Sequence, residues 1–321
     1  MVDQLSPANA CRACGASLNP NRVSTESADG LCDLCIHNRD VSWHPADNPA
    51  TVAPYPYQQV EAPYQAPALD PDRPRWGIGT GISTWVASIA AILFVPIAVV
   101  IFWYIFDKMR GVPVPDPADR QGLLDWVMSP RILLVQVYST LAAHFITLAF
   151  CWAVVTRFKK QPFLKSLGWN WAGHSALYWL LVSAGILVSI FIAGQFFAKF
   201  LPESETSFDQ LLKSSQQVKI AVVLLAITSA PFIEEVIYRG ILYSGLRKYM
   251  GVGATVIVVT VLFASVHVLQ YWGAWASMAG LTMLSLILTI VRAKTKSILP
   301  CVVIHFVNNF FSSIIILLSK S

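Results

Sequence analysis

The stretch AITSAPFIEEVIYRG, residues 226–240, decides how this chain is read. It lies inside an apolar run, 218–246, long enough to cross a bilayer, yet it carries Glu234, Glu235 and Arg239. An ionised side chain at bilayer depth costs several kcal/mol, so intramembrane charge points to function by default. Residues four apart share a helix face, so Glu235 and Arg239 can pair. Glu234 is rotated about 100° from Glu235 and is left to point elsewhere. Pro231, three residues earlier, removes a ladder donor and is expected to bend the helix there. A buried carboxylate without its own cation is the kind of group that serves as a general base near neutral pH. The bland alternative is an ion-pair network tying helices together.

Working outward, six further apolar runs occupy about 84–106, 132–156, 176–198, 253–271, 274–292 and 297–318. Each is close to the ~20 residues a spanning helix needs. The 321 residues are 55% hydrophobic and only 13% charged, with mean hydropathy +0.56. Soluble domains carry roughly 25% charged residues. The expected fold class is therefore all-α, a polytopic membrane bundle of about seven spans. The net charge of +5 reads as loop charge that orients the spans, and no basic, aromatic-laced patch suggests nucleic acid.

Two later runs each place a histidine at comparable depth. Phe263-Ala-Ser-Val-His267 lies in the fifth run, and His305-Phe-Val-Asn-Asn309 in the last. His305 and Asn309 are four apart and can face one point, whereas Asn308 is turned away. Each histidine, taken alone, could simply be bonded to a neighbouring helix. Together, the residue types suit one task. A carboxylate takes a proton from water, a histidine holds that water, and His and Asn donors meet an oxyanion.

The ordered set Glu-Glu-x-x-x-Arg, Phe-x-x-x-His and His-x-x-x-Asn resembles the CPBP family of CAAX prenyl proteases and bacteriocin-processing enzymes. The resemblance covers about 160–318, where Phe163-Leu-Lys-Ser-Leu-Gly-Trp169 also looks like the family's entry into that region. It implies an intramembrane glutamic endopeptidase. Glu234 would activate water, His267 would help to position it, and His305 with Asn309 would form the oxyanion hole. Glu235, held by Arg239, would support the site. The implied substrate is a membrane protein or peptide, lipidated or not. Two glutamates and two histidines also look like a metal shell. Against that, the H-E-x-x-H zinc motif is absent and Asn is a poor zinc ligand, so the expectation is a site needing no metal. The rival from another class is a non-catalytic membrane scaffold or immunity protein. A proton-coupled transporter would predict internal repeats, which the two halves lack.

Ahead of the membrane region, Cys11-x-x-Cys14 and Cys32-x-x-Cys35 have the spacing of a four-cysteine zinc site. Residues 1–38 are expected to form a zinc-ribbon-like head with structural zinc, with paired disulfides or free thiols as the alternative. The head could dock a protein partner. Residues 39–76 are proline-rich and read as an extended linker to a membrane domain at 77–321. With no long apolar stretch in the first 75 residues, no signal peptide is expected. The head is then cytosolic, on an integral protein of the cytoplasmic membrane. The loops on that side receive Arg157, Lys159, Lys160, Lys165, Arg247, Lys248, Arg292, Lys294 and Lys296. Seven spans then leave the C-terminus outside.

Overall fold

A computed structural model describes residues 70–318. The zinc-ribbon-like head, with Cys11, Cys14, Cys32 and Cys35, and the linker up to residue 69 lie outside the described residues. Among the described residues the regular structure is helical throughout.

Long helices are α1 Ile78–Met109, α3 Pro130–Thr156, α5 Ala176–Phe197, α11 Trp275–Thr295 and α12 Leu299–Leu318. A sixth spanning rod, Gln216–Arg247, is built from four pieces. These are α7 Gln216–Ile227, α8 Ser229–Glu235, a π-helical turn Val236–Leu242, and α9 Tyr243–Arg247. Helix α10, Val252–His267, is apolar but has only 16 residues. Its length is about 24 Å at 1.5 Å per residue, short of the ~30 Å hydrocarbon core. The expected runs and these helices agree to within a few residues, except that the fifth stops at His267. Short helices α2 Arg120–Val127, α4 Phe163–Ser166 and α6 Ser207–Ser214 lie in the connections. Helix α6 starts with a reciprocal capping box between Thr206 and Asp209.

The sixth rod breaks where its sequence requires it to. A proline ring clashes with the carbonyl four residues back, which for Pro231 belongs to Ile227, and α7 ends at that residue. Thr228 takes φ −104 and ψ −78, and the helix resumes at Ser229. The π turn then follows the Glu-Glu pair directly. Such insertions locally re-aim side chains and recur at functional sites.

This broken rod forms the centre of the bundle. Every residue from Glu235 to Leu246 is buried. Its apolar side chains, among them Val236, Ile237, Ile241, Leu242 and Tyr243, anchor the main core cluster with Phe263 from α10 and Ile298. Helix α1 packs along α3 and on the π turn, α10 pairs with α11, and α12 lies between α5 and the α7–α8 stretch.

The segment preceding α1 departs from the expected linker. Residues 70–76 fold onto the end of the rod. The Trp76 indole donates to Ile241 O at 3.0 Å in the core. Lys248 Nζ donates to the carbonyls of Pro74 and Trp76 at 3.2 and 3.3 Å. Gly245 permits the close approach, because a Cβ there would lie 2.9 Å from Gly77 O.

Candidate active site

Glu235 and Arg239 are both fully buried and form the expected pair, Arg239 Nη1 to Glu235 Oε1 at 3.0 Å. The rest of the guanidinium is held by α11. Nη2 donates to Ser285 Oγ at 2.8 Å and Ser285 O at 2.9 Å, and Nε to Thr289 Oγ1 at 3.3 Å. Its flat face lies 4.9 Å from the Phe263 ring centroid. A buried charge left without bonds would be expensive, and here the cation is bonded from three sides.

The same Glu235 oxygen meets His305 Nδ1 at 2.8 Å. A carboxylate held by an arginine can only accept, so the contact puts a proton on Nδ1 and turns Nε2 the other way. Nε2 lies 3.8 Å from Glu234 Oε2, beyond a hydrogen bond. Glu234 keeps 25% of its side chain exposed, whereas Glu235 keeps none. Neighbours in sequence, the two carboxylates therefore have opposite surroundings. Glu235 Oε2 has no hydrogen-bond partner among the described residues.

His267 ends α10, with Nδ1 at 2.9 Å from Phe263 O. The carbonyl only accepts, so Nδ1 carries the proton and Nε2 is left as an acceptor. The Phe263 ring stacks on the His267 imidazole at 4.8 Å and meets His305 edge-on at 6.2 Å. One phenyl ring thus spaces both histidines and covers Arg239. Asn309 donates from Nδ2 to Ala226 O at 2.9 Å. That carbonyl belongs to the last turn of α7, just before the break at Thr228. Part of the Asn309 amide therefore caps the broken rod, and its second N–H is not committed there. Asn308 lies beside it, Nδ2 to Asn309 Oδ1 at 3.5 Å.

The structure thus gathers Glu234, Glu235, Arg239 and His305 around shared contacts, joins His267 through Phe263, and places Asn309 one turn beyond His305. No three His, Cys, Asp or Glu side chains among the described residues are grouped so as to hold a metal ion.

Several contributors were missed by sequence reasoning. His144, buried on α3, has Nδ1 at 2.8 Å from Ser229 Oγ on α8. A single histidine in an apolar run offers no spacing to interpret. Ser285, Thr289 and Arg292 did carry a signal, since they repeat at helical spacing along one face of an apolar run. The loop after α10 brings Tyr271 against Phe208 of α6. Burial, with the charges of Glu234 and Asp209, pushes the Tyr271 phenol up to about 12, so it stays protonated.

Arg292 is the clear correction. Expected as a loop charge, it is fully buried in the last turn of α11. Asp72, assigned to the linker, is its ion-pair partner at 2.8 Å.

Residues 216–311 match a family model described as "Type II CAAX prenyl endopeptidase Rce1-like". The match begins at the first residue of α7, ends within α12, and contains all six membrane site residues identified above. It spans less than a third of the chain and includes neither Asp72 nor the cysteine pairs. No curated protein and no solved structure matches the chain. Across the helices that build its buried Glu–Arg–His cluster, the chain is therefore similar to the Rce1-like CAAX prenyl endopeptidases.

Proposed function

We propose that this protein is an intramembrane glutamic endopeptidase that hydrolyses a peptide bond of a membrane-associated or lipidated protein. The observation that carries the reading is the contrast between adjacent carboxylates. Glu235 is locked by Arg239 and His305, while Glu234 is partly open beside His305 Nε2.

Glu234 takes a proton from water, and the resulting hydroxide attacks the scissile carbonyl carbon. His267 Nε2 accepts the other O–H of that water and orients it. The oxyanion is met by the N–H groups of Asn309 and of His305, whose Nε2 faces Glu234. Donors preset for such an oxyanion are worth roughly 10²–10³ in rate each. Glu234 then passes its proton to the leaving amine, the C–N bond breaks, and the base is regenerated. Glu235 and Arg239 touch no reacting atom in this scheme and fix the His305 imidazole.

An apolar groove of about 280 Å³ runs beside the site, lined by Leu180, Pro231, Phe232, Val302, Val303 and Phe306. Pro231 and Phe232 stand three and two residues before Glu234 on the same helix, so a lipid-modified or apolar segment in this groove would lie within about one helical turn of the base. The similarity to CAAX prenyl endopeptidases favours a substrate whose cleaved bond is near a lipidated cysteine. For the four N-terminal cysteines we propose a structural zinc, in a cytosolic head that recruits a protein partner.

Comparing protein termini in membranes of cells carrying wild type or Glu234→Gln at equal abundance tests the activity. Uncleaved chains accumulating in the variant would support it and name the substrates. Identical profiles alongside a lost cellular function would sink it in favour of a scaffold.

A further inference from the structure

Arg292 is a second buried cation, outside the set that carries the proposed reaction. Its Nε donates to the carbonyl of Arg239, within the π turn, at 3.0 Å. Its Nη1 reaches Asp72 Oδ1 at 2.8 Å, and Nη2 reaches Pro71 O at 3.1 Å and Ser244 Oγ at 2.9 Å. The guanidinium also lies 4.9 Å from the Tyr243 ring centroid. The acceptors fall into two groups. Arg239 O and Ser244 belong to the rod that carries the site, and Asp72 and Pro71 to the segment that leads into α1. Contacts therefore run from Asp72 through Arg292 to the Arg239 backbone, and from the Arg239 side chain to Glu235 and His305.

We propose that Arg292, with Asp72 as its counter-ion, is a positioning pair for the site: it fixes the π-turn backbone from which Arg239 presents Glu235 to His305. The proposal deepens the endopeptidase reading and rests on it. It makes the 70–77 segment a working part of the membrane domain. A π turn lacks the regular i→i−4 ladder, so its shape depends on outside contacts more than that of an α-helix does. Only a planar fork can serve the rod and the segment at once. A lysine keeps the charge but not the reach in two directions. An error of about 1 Å at the reacting groups can lower a rate by about 10²-fold.

The test uses the full chain in lipid vesicles, with Arg292→Lys, Asp72→Asn, the double variant, Asp72→Glu, and Lys213→Met as a remote control. One readout is kcat and KM on a fluorogenic peptide ending in a farnesylated cysteine and three further residues. The other is the imidazole ¹⁵N resonance of His305, assigned with His305→Gln. Arg292→Lys should lower kcat about 10- to 100-fold with KM nearly unchanged. Asp72→Asn should lower it several-fold, the double variant should be no worse than Arg292→Lys, and Asp72→Glu should recover part of the loss. Both single variants should shift the His305 resonance, and Lys213→Met should change nothing. Folded variants with wild-type kcat and an unmoved His305 resonance would overturn the pair's role, as would a loss confined to KM. If wild type shows no Glu234-dependent cleavage, the endopeptidase reading fails. The His305 resonance then decides alone, a shift supporting the positioning role and none refuting it. Should Arg292→Lys fail to fold, Asp72→Asn carries both readouts, because Asp72 is partly exposed.

Discussion

Helix α1 and the broken rod are each 32 residues long and strongly apolar, yet the protein uses them in opposite ways. None of the most apolar stretch of α1 is buried against protein, compared with 44% of the rod's. The few residues α1 does bury are Gly81, Thr84, Ser88 and Asp107, all small or polar, while Phe94, Ile97 and Phe102 face outward. The rod buries Glu235, Arg239, Gly240 and Ser244 in the same way, but within a fully enclosed stretch. Bulky apolar side chains gain nothing by leaving lipid for protein. Close packing and hydrogen bonds are what bring spans together, so polarity and smallness mark the inward face of α1, while the enclosed rod buries Ile237, Ile241 and Leu242 as well. In water the sorting would run the other way.

Substitutions can break this contrast at several levels. The largest effect is expected from Arg239→Met, which strips Glu235 of its cation in a dry site. Loss of one partner of a buried pair costs about 3–5 kcal/mol. Thermal unfolding in detergent should show it, together with complete loss of activity. Adding Glu235→Gln should restore much of the stability and none of the activity. A double variant as unstable as Arg239→Met would mean that packing, not the orphaned charge, is at stake.

Next comes Phe263→Ala, expected to cost about 3–5 kcal/mol through lost packing on Arg239 and both histidines. The matching change on the outward face of α1, Phe94→Ala, should stay within about 0.5 kcal/mol. Equal unfolding midpoints for the two variants would erase the distinction between the helices.

Smaller again is Gly245→Ala, whose new methyl would press on Gly77 O, with an expected cost of about 1–3 kcal/mol. Gly79→Ala in α1 meets nothing within 4 Å and should be neutral or slightly stabilising. The same melts would sharpen the comparison, since both changes add one methyl to a helix. The smallest stability effect is expected from Asn309→Ala, about 1 kcal/mol for the lost bond to Ala226 O. Its activity should nevertheless fall by roughly 10²–10³ if the second N–H meets the oxyanion. A proportionate loss of both would leave Asn309 as a helix cap only.

Much of this was legible beforehand because length and polarity are the terms a bilayer imposes. The seven helical runs, the Glu235–Arg239 pair and the outward turn of Glu234 all follow from spacing. The break after Ile227 follows from Pro231. What escaped depends on tertiary contact. Nothing local distinguishes the π turn from an α-helix. Arg292 stands near the end of a run, where arginines usually meet water, and only the return of Asp72 makes it interior. The proline-rich composition around Asp72 masked a segment that packs. Phe263 belongs to a motif read for its histidine, and its service to two histidines and an arginine needed three helices in place.

The short helix α10 carries one further consequence. At about 24 Å it cannot match a typical hydrocarbon thickness, and it stops at the very histidine proposed to hold the water. Lipid that thins to meet a helix this short does so at fractions of a kcal/mol per Å, which would make hydrophobic mismatch a property of the site. Headgroups and bulk water would then dip toward His267, and bilayer thickness would set how readily the reaction is hydrated. Faster turnover in vesicles of short-chain than of long-chain phosphatidylcholine would reveal it, and equal rates would rule it out.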